Sequence, residues 1–204
     1  MQYLRVFSAI KNVLIVLTVA IKNLLLSRQK HRLTAKICQG IQMKKIMKQG
    51  AAIDPTGLYR YLLWREWDAN APRVVFVMLN PSRADANTDD PTLRRCLGFA
   101  RSWGCGAIEV VNLFAYRASR PDILRVVLDP VGPENDRYLR EAVERADRII
   151  VAWGNRGSLR NRYQTVSPWL SNRENLYCLG ITKRGHPRHP LYVRSSTTPF
   201  SYPH

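Results

Sequence analysis

Val74–Leu79 reads VVFVML, six apolar residues with no polar interruption, and Asn80-Pro81-Ser82 follows at once. A strand with one face in water alternates apolar and polar side chains, so a short unbroken run marks a strand buried on both faces. Such strands belong to parallel sheets with helices on both sides. Downstream, Asp90-Pro91 sets an N-cap before a proline at the first helical position and opens a helix through about Trp103. Ala107–Val111 (AIEVV) reads as the next strand, Asn112–Arg120 as a loop, Pro121–Leu128 as a short helix and Glu134–Ala146 as an amphipathic helix. Arg148–Ala152 (RIIVA) is another buried strand, Ser158–Leu170 a helix and Leu176–Leu179 a last core strand. Upstream, the aromatic Tyr59–Trp67 (YRYLLWREW) reads as a strand and Asp68–Pro72 as a turn. The alternation predicts a three-layer α/β/α domain over residues 54–195 with a mostly parallel central sheet, followed by a tail over 196–204.

Residues 1–53 read differently. They hold ten of the 32 Lys and Arg residues and no acid, whereas the remainder carries 22 basic and 15 acidic residues. The net charge of +17 is therefore mostly that of a basic extension, and the domain itself is only moderately basic. A surplus of this kind suits a polyanionic partner, nucleic acid or nucleotide, and equally suits a solvated basic surface. The apolar run 12–21 (NVLIVLTVAI), between Lys11 and Lys22, is half the length of a bilayer span. Peripheral membrane association through this basic, apolar tail is one reading; a start of translation at Met43 or Met47 is the other, and the extension is left out of the fold. Cys38, Cys96, Cys105 and Cys178 form no CxxC pair and lie at no zinc-finger spacing from a histidine. Reduced, buried thiols in a cytoplasmic protein are expected, with no metal and no cofactor.

In open parallel sheets, ligands bind beyond the carboxyl ends of the strands. The polar clusters of this chain fall there: Asn80-Pro81-Ser82, Asn112-Leu113-Phe114, Trp153-Gly154-Asn155 and Thr182–Pro190. Asn80 either holds a water or ligand carbonyl or closes a turn on nearby backbone. Asp85 and Asp89 offer a general base or metal ligands, or simply a solvated loop, while Asp90 caps the helix. Asn112 beside Phe114 suits reading the edge of a heterocycle while a ring stacks on its face; the alternative is an asparagine satisfied by backbone. Trp153-Gly154-Asn155-Arg156-Gly157 lacks any phosphate-loop signature and defaults to a tight strand-to-helix turn. Thr182–Pro190 gathers Lys183, Arg184 and Arg188 with His186 and His189, a composition suited to phosphate and to a developing anion. Arg83 and Arg117 complete the candidate phosphate contacts.

The runs YRYLLWREWD, MLNPSRADANTDDPTLRRC, VVNLFAYRA, DPVGPENDRYL, VAWGNRG and LGITKRGHPRHPLY, across about residues 57–192, closely resemble domain-of-unknown-function family 1643 of bacteria. That resemblance implies no particular activity. A second one does. Uracil-DNA glycosylases share a layout in which one strand ends in Asn-Pro or Asp-Pro, a later one in Asn and a third near Gly, with His-Pro after the last. Asn80-Pro81, Asn112, Gly154 and His189-Pro190 resemble it. The resemblance implies that Asn80 positions the attacking water, Asn112 reads the pyrimidine edge and His189 stabilises the departing base. The chain departs from that layout in lacking a glycine directly before Asn80 and in continuing His189-Pro190 with Leu191-Tyr192.

Asn80, Asp85 and His189 would be catalytic. Pro81, Ser82, Asn112, Phe114, Trp153 and Gly154 would bind the substrate, and Arg117, Lys183, Arg184 and Arg188 phosphate. The function expected is glycosylase-like hydrolysis of a base or N-glycosidic bond, with DNA as one setting. The alternatives are a non-catalytic nucleotide or nucleic-acid binding domain and a membrane-associated protein.

Overall fold

The computed structural model describes residues 48–203. Within them, Lys48–Ile53 (β1), Arg60–Glu66 (β2), Arg73–Met78 (β3), Ala107–Asn112 (β4), Arg148–Val151 (β5), Leu176–Cys178 (β6) and Phe200–Ser201 (β7) form one sheet in the order β1-β2-β4-β3-β5-β6-β7. The α-helices among these residues are Pro91–Ser102 (α1), Asn135–Glu144 (α2) and Arg162–Leu170 (α3).

The VVFVML run is the buried centre of this sheet, and its side chains divide between two cores. Val74, Phe76 and Met78 pack with Leu93, Cys96, Leu97 and Ala100 of α1 on one face. Val75, Val77 and Leu79 pack with Leu139, Ala142 and Val143 of α2 and Val166 and Leu170 of α3 on the other. Successive residues of a strand point to opposite faces, so covering both faces demands an apolar residue at every position. Asp90 caps α1 as its sequence implies: Oδ1 accepts the Leu93 N–H at 2.8 Å, and Pro91 starts the helix.

The sheet is mixed, which corrects the expectation of a mostly parallel one. β3 pairs in parallel with β4 and β5, and β5 with β6. β1 with β2, β2 with β4, and β6 with β7 are antiparallel. Antiparallel neighbours accept a short connection, whereas parallel ones need a crossover of a dozen or more residues. The turn from β1 to β2 fits the first case. Asp54 holds it by accepting N–H groups of Thr56 (3.2 Å) and Tyr59 (2.8 Å).

Strand β1 also moves the domain boundary, because residues 48–53, read as part of the extension, belong to the sheet. Gly50 lies beneath Trp64: an added Cβ would sit 2.7 Å from the indole ring. At the other end, β7 draws part of the 196–204 tail onto β6. Two helical readings are shortened. Pro121–Arg125 is a 3-10 turn, and the Ser158–Leu170 stretch breaks at Arg160 and Asn161, whose φ of 50° and 53° are left-handed, so that α3 begins only at Arg162. The apolar run 12–21, Cys38, Met43, Met47 and the rest of the basic extension before Lys48 lie outside the described residues. Among the described residues no helix is long and apolar enough to cross a membrane, and Cys96, Cys105 and Cys178 are buried free thiols.

Strand order reverses at β3. The chain passes through α1 to β4 on one side, then returns over the other face through α2 to β5 on the opposite side. The two connections diverge where β3 and β5 end, and such a point leaves a crevice at the carboxyl ends of the strands.

A chain beginning at Met47 keeps the whole sheet and is expected to unfold cooperatively, with a melting temperature close to that of the full chain. One beginning at Asp54 lacks β1, uncovers Trp64 and should melt lower. Differential scanning calorimetry of the three decides the matter, and non-cooperative unfolding of the Met47 chain would count against the assignment.

Candidate functional site

The segments leaving β3, β4, β5 and β6 are tied together by their backbones. Leu113 and Phe114 donate N–H to the carbonyls of Met78 (2.9 Å) and Leu79 (3.0 Å), and Ala118 to that of Pro81 (3.0 Å). Ala152 donates to Val77 (2.8 Å) and Gly154 to Pro187 (2.8 Å). These bonds enclose a cleft of about 850 Å³, at the upper end of the size usual for small-molecule sites. Leu63, Met78, Leu93, Cys96 and Val110 make an apolar floor; Arg156, Lys183, Arg184 and Arg188 stand on its wall and rim.

Asn80, Asn112, Trp153 and His189, from four different strand ends, all border this one cleft, as do Ser82 and Gly154. Asn80 Nδ2 donates to the carbonyls of Pro81 (2.9 Å) and Ala118 (2.8 Å). Both donors are spent on backbone, which locks the amide plane and leaves Oδ1 as the acceptor the side chain can offer. Asn112 is 1% exposed, and its Nδ2 is buried with no protein acceptor. An amide donor left in that condition costs about 1–3 kcal/mol. Trp153 Nε1 is likewise buried without a protein acceptor.

His189 is oriented by the backbone that follows it. Leu191 donates its N–H to Nδ1 at 3.3 Å, so the neutral ring carries its proton on Nε2. Burial pushes its pKa below the ordinary imidazole value, and the Asp90 carboxylate offsets part of that shift. The ring is therefore a neutral Nε2–H donor at pH 7. Gly154, at φ 70°, makes the turn beside it; an added Cβ there would sit 3.9 Å from His189 Cβ. Gly157 serves packing instead: its Cβ would fall 2.0 Å from Trp153 Cδ1.

Other expected site residues lie elsewhere. Phe114 is 0% exposed in the core shared with α2 and α3, so it presents no ring to a ligand. Pro81 is buried behind the wall and contributes its carbonyl to Asn80. Asp85 does not border the cleft; its Oδ1 accepts the N–H groups of Asn87 (2.9 Å) and Thr88 (2.8 Å), and these bonds hold its pKa down. Asp89 pairs with the fully buried Arg65 at 2.7 Å and thereby anchors the 80–90 loop to β2. Arg117 donates Nη1 to the Gly57 carbonyl at 3.1 Å, away from the cleft, and Arg83 is exposed outside it. His186 packs edge-on against Tyr163, outside the cleft wall.

Sequence reasoning passed over Arg60. It is 3% exposed and borders the cleft, and burial pushes its guanidinium pKa down to about 10, with Asp90 opposing. Because β2 runs antiparallel to β4, the start of β2 lies at the end of β4: the Arg60 N–H donates to the Ala115 carbonyl at 2.9 Å. Nothing in YRYLLWREW reveals that placement. Asp90 also borders the cleft while capping α1.

The arrangement is an α/β domain whose cleft combines an apolar floor, buried amide and cationic donors, and a cationic rim. Residues 60–191 match the family described as "Protein of unknown function (DUF1643)", and the chain belongs to that family. No curated protein and no solved structure matches the chain.

The His189 imidazole should titrate below about 6.5 when followed by NMR. Asp90→Asn keeps the helix cap but removes the carboxylate that raises the pKa, so the midpoint should fall further. An unchanged or higher midpoint in that variant would contradict the geometry.

Proposed function

We propose that the cleft takes a nucleobase attached to a sugar and hydrolyses the N-glycosidic bond. The observation that carries this reading is that Asn80, Asn112 and His189, from three different strand ends, border one cleft. When the bond breaks, the base leaves with the electron pair and the sugar carbon becomes electron-deficient. A water held by Asn80 Oδ1 attacks that carbon and loses a proton to the medium. The departing anion is stabilised by the donors of Asn112 and His189 and is then protonated. A preorganised donor of this kind is worth most where apolar side chains exclude water. Lys183, Arg184 and Arg188 also border the cleft, and their charge suits sugar phosphates, which extends the substrate to nucleotides or nucleic acid. The uracil-DNA-glycosylase layout supports the same roles, since Asn80, Asn112, Gly154 and His189, the residues that resemble it, border a single cleft here.

A second reading follows from Asp85. With that carboxylate turned to its own loop, Asp90 is the acid that borders the cleft, and it is engaged as a helix cap. A nucleotide or nucleic-acid binding domain without catalysis fits the same donors and rim.

Base release from uracil-containing and other modified single- and double-stranded DNA, with free nucleosides alongside, tests the first reading. His189→Ala should slow release on the order of a hundredfold with substrate affinity and melting temperature nearly unchanged. Asn80→Ala should act on the same step, and the double variant should lose less than the sum of the two. If the wild-type chain releases nothing, the binding reading takes its place. Binding of single-stranded DNA should then weaken steeply with salt, and with Lys183→Ala or Arg184→Ala that dependence should become shallower.

A further inference from the structure

Three arginines of the described domain are buried: Arg60, Arg65 and Arg162. Two are fully accounted for. Arg65 bonds Asp89 through Nε (3.1 Å) and Nη2 (2.7 Å), and its other donors reach the carbonyls of Trp64 and Asp85. Arg162 bonds the Leu113 carbonyl through Nε (2.8 Å) and Asp136 through Nη2. Each buried charge has its carboxylate, as burial in a poorly solvated interior requires.

Arg60 does not follow the pattern. Nη1 donates to the Ala84 carbonyl at 2.6 Å; Nε is buried without a partner, and no carboxylate pairs with the group. One bond to a carbonyl explains a donor at this position but not a full charge. Of the three, Arg60 is also the one that borders the cleft. Asn112, which also borders the cleft, carries a second buried donor with no acceptor. The charges that act on Arg60 are Asp90 and Asp85, which favour its cationic form, and Arg117 and Arg65, which oppose it. Asp89 neutralises Arg65, and the 80–90 loop holds Asp85 in its own turn.

We propose that Arg60 is the anchor for an oxyanion of the ligand at the floor of the cleft, a group distinct from the phosphates that the rim would hold. With Nη1 committed to Ala84, the guanidinium retains its Nε–Nη2 edge, the pair of parallel donors that matches two oxygens of a carboxylate or phosphate. The floor around it is apolar, so the oxyanion sits on the part of the ligand that enters first. Under the N-glycosidic reading, on which this assignment of the ligand rests, that part is the base, and the substrate class is one whose base carries an acidic substituent.

The test uses the full-length chain and three probes: orotate (a carboxylated pyrimidine), inorganic phosphate, and uridine, which has no oxyanion. In ¹⁵N-labelled wild-type protein the Arg60 Nε–H signal should shift saturably with orotate if the anion is a carboxylate, or with phosphate if it is that. Uridine should leave it in place. Arg60→Lys keeps the charge but loses the fork, and should weaken binding of the effective probe at least tenfold; Arg140→Ala, exposed on α2 and outside the cleft, should not. The NMR arm requires no variant, so a misfolded substitution does not leave the question open. An Nε–H signal unmoved by both anions, or Arg60→Lys binding them as wild type does, overturns the proposal. Oxyanion binding through Arg60 in a chain that releases no base upholds the anchor and removes only the hydrolase reading. Base release undiminished in Arg60→Lys removes only the anchor.

Discussion

The parallel pairing of β3 with β4 on one side and with β5 on the other is the constraint from which the site follows. A strand paired in parallel on both edges cannot be reached from either neighbour by a tight turn, so helical connections must cross the sheet. One crossover carries α1 over one face and the other carries α2 over the opposite face. Both faces of β3 are then sealed, which is why Val74–Met78 is buried throughout. The two crossovers part at the carboxyl ends of β3 and β5, and the loops that begin there, with those leaving β4 and β6, have nowhere to converge but around the resulting crevice.

The polar groups beyond β4 divide between the two faces, and that division decides what the crevice is made of. On the face of α2 and α3, Asn135 Nδ2 donates to the carbonyls of Asn112 (3.0 Å) and Leu113 (3.1 Å), and Arg162 to that of Leu113. The backbone there is satisfied and closed. On the face of α1, the side chains of Arg60 and Asn112 retain donors with no protein acceptor. The Arg65–Asp89 pair pins the 80–90 loop to β2, and Ala84 in that loop in turn receives Arg60 Nη1.

Much of this was legible in the chain itself, for definite reasons. The VVFVML run could only be a strand covered on both faces, and Asp90-Pro91 could only begin a helix cleanly, because both signals act over a few neighbouring residues. Asn80, Asn112, Trp153 and His189 could be assigned to one rim because a strand's carboxyl end is a local property and a parallel sheet brings such ends together. Phe114 was misread on equally local grounds. An aromatic residue after a strand end looks like a platform, but the Phe114 N–H bond to the Leu79 carbonyl continues the strand pairing and carries the ring into the core. Asp85 looked like a free acid, and only the fold of its loop shows its oxygen occupied by two N–H groups.

The sequence by itself determined the strand–helix alternation, the capped start of α1, and the set of polar residues that leave the buried strands. These depend on periodicity and on contacts within a few residues. Tertiary structure alone decided that β2 joins antiparallel beside β4, that residues 48–53 add a strand, and that Asp89 belongs to Arg65 while Arg60 has no carboxylate of its own. Strand order and the pairing of buried charges join residues far apart in the chain. Their energies depend on who the neighbour is, and no local pattern states that.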